Sequence, residues 1–180
     1  MTARPDPFII TLKRHELFMG AQAGMLRRLS ALRRQRQERR GTPPQDLWGI
    51  DIEASLAELA VARAFNLYWE RFADTPSELE GDVGRLQVRS TWRDNGRLIL
   101  HREDKDAAAF VLVTGRAPTY TIRGWILGAE GKQEQWWNEG DGRPAFFVPQ
   151  DALSLTTPPA ADGTVPACQP GSESSTTATP

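Results

Sequence analysis

The chain has 180 residues, 39% hydrophobic and 25% charged, with a formal net charge of −1. That length supports one domain with a real core, and the proportions are those of an ordinary globular protein. No apolar run approaches the roughly 20 residues that span a bilayer, the opening MTARPDPFIITLKRHELF lacks the apolar stretch of a signal peptide, and Cys168, the only cysteine, excludes an internal disulfide and a cysteine-based zinc site. A reducing cytosol is the expected compartment, and a membrane is not an expected partner.

Residues 1–10 read as an extended lead. From Thr11 to Arg39 the pattern is helical: Phe18, Gln22, Met25, Leu29 and Leu32 recur at steps of four and three, with Leu26 beside them. Thr11 is a candidate cap, Gly41 and Pro43-Pro44 stop the helix, and Gly20 and Gly24 mark a place where it could break. Asp46 to Leu67 is a second helix, with an apolar stripe of Ile50, Ala54, Ala57, Val61 and Ala64 widened by Leu56, Leu59, Ala60 and Phe65. Its alanines permit close packing on a sheet or another helix. RFADTPSELEGD is a loop.

From Gly84 the period changes to two. Leu86 to Thr91 is a strand, RDNG is a hairpin signal, and Arg97 to His101 is the returning strand. REDKDA is a charged turn. Ala109 to Thr114 (AFVLVT) has the continuous apolar character of a central strand. Thr119 to Leu127 and Ala145 to Val148 are further strands, joined by a loop with one helical turn. Beyond Leu155 the composition is Pro, Ser, Thr and Ala, too poor in large apolar residues to offset the entropy of ordering. The expectation is one α+β domain over residues 1–155, with N-terminal helices packed on a mixed, largely antiparallel sheet of about five strands, and a disordered tail over 156–180.

Charge is unevenly distributed. Residues 13–40 hold nine basic residues (Lys13, Arg14, Arg27, Arg28, Arg33, Arg34, Arg36, Arg39, Arg40) against Glu16 and Glu38, so this segment is +7 and the remainder −8. The seven arginines from Arg27 to Arg40 are candidate nucleic-acid contacts, because such a separation creates a field that attracts a polyanion. A solvated helix face is the other reading.

GDVGRLQVRST, Gly81 to Thr91, concentrates chemistry. Residues two apart on a strand share a face, so Gln87 and Arg89 point one way and Leu86 and Val88 the other. Asp82 precedes the Gly84 turn and can lie close to the polar pair. Glu58, in LAELA, sits among apolar residues where an unpaired carboxylate is costly, so it needs a partner, and a metal or a cation would serve. This order of residues resembles the PD-(D/E)XK nuclease superfamily, with its restriction-endonuclease-like fold, and most of all small phage-type members. The resemblance covers about residues 48–115. It implies a metal-dependent DNA endonuclease in which Glu58 is the helix acid, Asp82 the central metal ligand, Gln87 the second strand ligand and Arg89 the counterpart of the motif lysine. The implied cofactor is Mg²⁺ or Mn²⁺ held by Glu58, Asp82 and Gln87, and the implied partner is DNA.

Such a site works because hard oxygen ligands hold a cation that binds the scissile phosphate and lowers the pKa of a bound water. Two letters depart from the pattern. Gln87 offers a neutral carbonyl oxygen, and Arg89 stays protonated and so cannot act as a base, though it can clamp a phosphate. A catalytically weak or inactive nucleic-acid-binding or structural module on the same fold is therefore the alternative.

Other signals are secondary. HREDKD, His101 to Asp106, is a mixed-sign turn that could border the same cleft if the His101 strand pairs with the Gln87 strand. Glu53 lies about 140° around the helix from Glu58 and belongs elsewhere. His15 reads as a surface residue, and Trp125 as core. Trp136-Trp137 could stack bases or hold a partner, or plug the core. No phosphate-binding Gly-rich motif occurs. The sequence leaves homo-oligomers open.

Overall fold

The structure is a computed structural model describing residues 6–34, 46–69, 81–140 and 144–159. It is α+β. Among the described residues the α-helices and strands are, in chain order, β1 (Phe8–Thr11), α1 (Arg14–Arg33), α2 (Leu47–Ala64), β2 (Leu86–Thr91), β3 (Leu98–Leu100), β4 (Ala109–Arg116), β5 (Thr119–Leu127), the short α3 (Gly128–Gly131), β6 (Trp137–Asn138) and β7 (Ala145–Val148). The strands form two sheets, where one was expected. The larger has the order β1-β5-β4-β2 and the smaller β3-β7-β6. All pairings are antiparallel except β2 with β4, which run parallel in the register Leu86↔Ala109 to Thr91↔Thr114.

The larger sheet is covered on both faces, which explains the unbroken apolar run of β4. Ala109, Val111 and Val113 point towards α2, into a core shared with Leu56, Ala57, Ala60, Val61, Leu86, Tyr120 and Ile122. Phe110 and Leu112 point the other way, into a second core with Leu98, Leu100, Phe146, Val148 and Leu153. Burial on both faces needs apolar residues at every position rather than at alternate ones.

The RDNG hairpin does not form, although the turn does. The Gly96 amide donates to the Arg93 carbonyl at 2.9 Å, and Gln150 Nε2 clamps the Asp94 and Gly96 carbonyls at 2.7 and 2.8 Å. The chain then leaves β2 and enters the smaller sheet, where Leu98 and Leu100 are fully buried and pair with β7. So the His101 end of β3 does not pair with the Gln87 strand: β3 pairs with β7, and β2 pairs with β4. Burying Leu98 and Leu100 against Phe110 and Leu112 outweighs the local preference for a hairpin.

The first helix also differs. It starts at Arg14 rather than beside Thr11, which ends β1, and the Lys13 amide donates to Glu16 Oε2 at 2.5 Å. It runs unbroken through Gly20 and Gly24. A Cβ on Gly24 would lie 2.5 Å from Ile52 Cα and 2.6 Å from the Asp51 carbonyl oxygen. The glycines therefore bring α1 against α2 rather than interrupting it. Gly20, Ala23 and Gly24 are buried, while Phe18, Met25, Leu29 and Leu32 are exposed. No helix among the described residues is long and apolar enough to cross a membrane. The tail reading falls almost wholly on residues 160–180, outside the described residues.

Candidate functional site

Glu58 is turned inward on α2 and is only 6% exposed. Its neighbours in LAELA pack into the core, and its carboxylate meets α1. Arg27 closes a two-pronged contact, Nη1 to Oε1 and Nη2 to Oε2, each at 2.7 Å. Trp69, just beyond α2, donates its indole N–H to Oε2 at 3.1 Å, and the Arg27 guanidinium stands 5.9 Å from the Trp69 ring centre. Burial pushes the Glu58 carboxyl above its ordinary 4.5; Arg27 opposes the rise without cancelling it, and the nearby Asp82 charge adds to it. For Arg27, burial acts to lower the pKa, but the hydrogen bonds and charge of Glu58 outweigh it, assisted by the charges of Asp82 and Asp51. Arg27, Glu58 and Asp82 thus form one electrostatic cluster.

Asp82 has a second task. The Gly81–Leu86 turn folds back on itself, with the Asp82 amide donating to the Leu86 carbonyl at 2.7 Å and the Leu86 amide to the Val83 carbonyl at 2.9 Å. Gly84, at φ +57°, supplies the left-handed residue that this turn needs. Asp82 Oδ2 then accepts the Val88 amide at 2.9 Å. Among the described residues β2 is an edge strand, and the side chain satisfies an amide on the edge away from β4, where no described strand pairs.

Gln87 and Arg89 lie on the other face of the sheet. They pair with Phe110 and Leu112, which belong to the second core, whereas Leu86 and Val88 pack with the helix-side core. Arg89 Nη2 donates to Asp104 Oδ1 at 3.1 Å and its guanidinium sits 5.1 Å from the Phe110 ring centre. Asp104 also accepts the His101 amide at 2.9 Å. Lys132 binds the same turn through the Arg102 and Asp104 carbonyls and the Asp106 carboxylate. HREDKD is therefore held by internal bonds, and it does meet Arg89, though not through strand pairing.

The four residues of the motif divide accordingly. Glu58 and Asp82 share the helix-side cluster with Arg27, while Gln87 and Arg89 take the opposite face. Among the described residues no group of three or more His, Cys, Asp or Glu could hold a metal ion. As arranged, Glu58 holds a guanidinium, both of its oxygens accepting charged hydrogen bonds from Arg27.

The basic segment is similarly divided. Arg27 and Arg28 point into the protein, Arg28 Nε binding Asp51 Oδ2 at 2.6 Å, whereas Arg33 and Arg34 are exposed. Arg36, Arg39 and Arg40 lie outside the described residues. Sequence reasoning missed Arg27 as the partner of Glu58. The available signal was its position three, four and seven residues after Gly24, Ala23 and Gly20, on the small-residue face that packs against α2. Trp69 had no such signal.

Glu53 is bound elsewhere, accepting the Tyr120 hydroxyl at 2.7 Å; burial and this carboxylate raise the Tyr120 pKa. His15 is exposed. Trp125 is half-buried against the helix-side core and donates to the Thr156 carbonyl. Trp136 and Trp137 both pack against the second core, with Arg102 4.2 Å above the Trp137 ring. Trp92 is 60% exposed, with the Arg93 and Arg116 guanidiniums 5.3 and 5.1 Å from its ring centre. Comparison with family models, curated proteins and solved structures finds no match to this chain.

Proposed function

We propose that this chain is a non-catalytic nucleic-acid-binding module whose residue order is nuclease-like but whose helix carboxylate is committed to structure. One observation carries the reading: the Arg27 fork occupies both oxygens of Glu58. A guanidinium neutralises the carboxylate that the resemblance would give to a metal. Support for the ligand comes from the exposed Arg33 and Arg34 at the end of α1, from the basic residues that follow in sequence, and from exposed Trp92 between two arginines. Guanidiniums bind phosphates, and indoles stack bases.

The second reading, a Mg²⁺- or Mn²⁺-dependent DNA endonuclease, is favoured by the charge of Asp82 acting on Glu58. Two of the implied ligands share one cluster, and a cation could enter by displacing Arg27. Calorimetric titration of Mn²⁺ into the protein and into Asp82→Ala, beside a plasmid-nicking assay and DNA binding at several salt concentrations, separates the two. Salt-dependent binding with no metal heat and no nicking is expected. Metal heat lost in Asp82→Ala, accompanied by nicking, overturns the proposal in favour of the nuclease.

A further inference from the structure

The outward side of α1 has the make-up of an interface. Phe18, Met25, Leu29 and Leu32 line it, with Met19 and Leu26 beside them; all are exposed, Phe18 by 68% and Leu32 by 57%. Together they present on the order of 500 Å² of apolar surface, comparable with the largest patch on a typical monomer. With Gln22 included, Phe18, Met25, Leu29 and Leu32 follow steps of four, three, four and three. That is the narrow seam by which one helix packs along another, with a polar residue at one seam position of the kind that fixes register. We propose that this seam docks an amphipathic helix of a partner protein, one with an apolar seam and acidic flanks.

Charge selects the partner. Arg14 and Arg33 flank the seam and Arg34 follows its end, while the only acid on α1, Glu16, is turned away to Arg63 at 3.0 Å. A second copy of α1 would bring arginines towards arginines with no acid to meet them, which disfavours self-pairing. A narrow seam along a single helix suits a second helix laid along it. The chain's segments outside the described residues hold Met1, Phe72, Leu79 and Val165 as their large apolar side chains, scattered over three stretches. A hollow lined by Arg14, His15, Leu17, Phe18 and Met19 lies at the N-terminal end of α1, where a bulky side chain and an acid could seat together.

The test uses the full chain and labelled synthetic helical peptides of about 20 residues. One carries a leucine seam flanked by glutamates, the other the same seam flanked by lysines, and anisotropy reads binding. The glutamate peptide should bind at least about tenfold more tightly than the lysine peptide. Leu29→Gln with Leu32→Gln should lose at least about tenfold of that affinity with an unchanged melting temperature, both sites being exposed. Arg33→Glu should shift preference towards the lysine peptide. Equal binding of both peptides, no binding, or no loss in the double variant overturns the proposal. So does seam-dependent binding to phosphatidylserine vesicles, or seam-dependent dimerisation in sedimentation, with no peptide binding.

Discussion

Arg27 grips both carboxylate oxygens of Glu58, from one helix to the next, at 2.7 Å on each side. The Glu58 side chain is 8% exposed and that of Arg27 22%, so removing one partner strands a poorly hydrated charge. Arg27→Met should cost about 3–5 kcal/mol of stability, and Glu58→Leu less, because Arg27 retains some water contact. The double change Arg27→Met with Glu58→Leu should recover most of the loss, since no buried charge remains. Urea denaturation of the three variants measures this double-mutant cycle. If the double loss equals the sum of the singles, the pair contributes only packing.

Glu58 also sets a pH dependence opposite in sign to that of an ordinary salt-bridged acid. Its folded pKa lies above 4.5, so the folded state holds this proton more tightly than the unfolded chain. Its contribution to stability is therefore greatest below about 4.5 and falls as pH rises towards the raised value. The stability of the wild type minus that of Glu58→Gln should decline across that window. A rise over the same window, read from thermal melts at stepped pH, would show that Arg27 outweighs burial.

Gly24 is a contact residue. A methyl there would meet backbone atoms of Ile52 and Asp51 at 2.5–2.7 Å, and backbone cannot rotate aside. Gly24→Ala should destabilise by about 1–3 kcal/mol through overpacking, despite the roughly 1 kcal/mol that alanine ordinarily gains in a helix. Gly49, which would meet nothing within 4 Å, is the control: Gly49→Ala should be neutral or stabilising. Equal responses at both sites would show that α1 and α2 are not in close contact.

Metal binding should respond to Arg27 rather than to Gln87. Gln87→Glu adds a carboxylate on the face of Phe110 and Leu112, opposite the helix-side core. Arg27→Gln leaves Glu58, which feels the Asp82 charge, without its guanidinium. Mn²⁺ titration should give no heat with the wild type or Gln87→Glu, and weak binding with Arg27→Gln. Metal heat and plasmid nicking gained by Gln87→Glu would return the strand pair to a catalytic role.

The exposed arginines at the end of α1 should govern salt dependence. Reversing Arg33 and Arg34 to Glu should weaken DNA binding and flatten its salt slope by roughly one unit per lost phosphate contact. Arg28, bound to Asp51, should instead affect stability when replaced. An unchanged slope would leave the end of α1 as a solvated face.

By itself the sequence determined several of the local elements, though not β6, which falls in a stretch that reads as a loop. β2, β5 and β7 begin and end where the sequence reading placed them between turn signals, because turn residues and strand-forming runs are local features. It also marked Glu58 as a buried acid in need of a partner such as a metal or another cation, since an unpaired carboxylate among leucines and alanines is costly. Tertiary structure decided which cation that is and where each surface faces. Arg27 lies 31 residues away in sequence and meets Glu58 only because Gly20 and Gly24 let α1 lie close to α2. The same contact turns Phe18, Met25, Leu29 and Leu32 outward, against the habit by which a helix buries its large apolar side. The turn at Asn95-Gly96 was legible, but its strand partner was not, because the burial of Leu98 and Leu100 in the second core set that choice. Gln87 and Arg89 stood close to Asp82 in sequence, yet strand alternation and parallel pairing with β4 place them on the other face of the sheet.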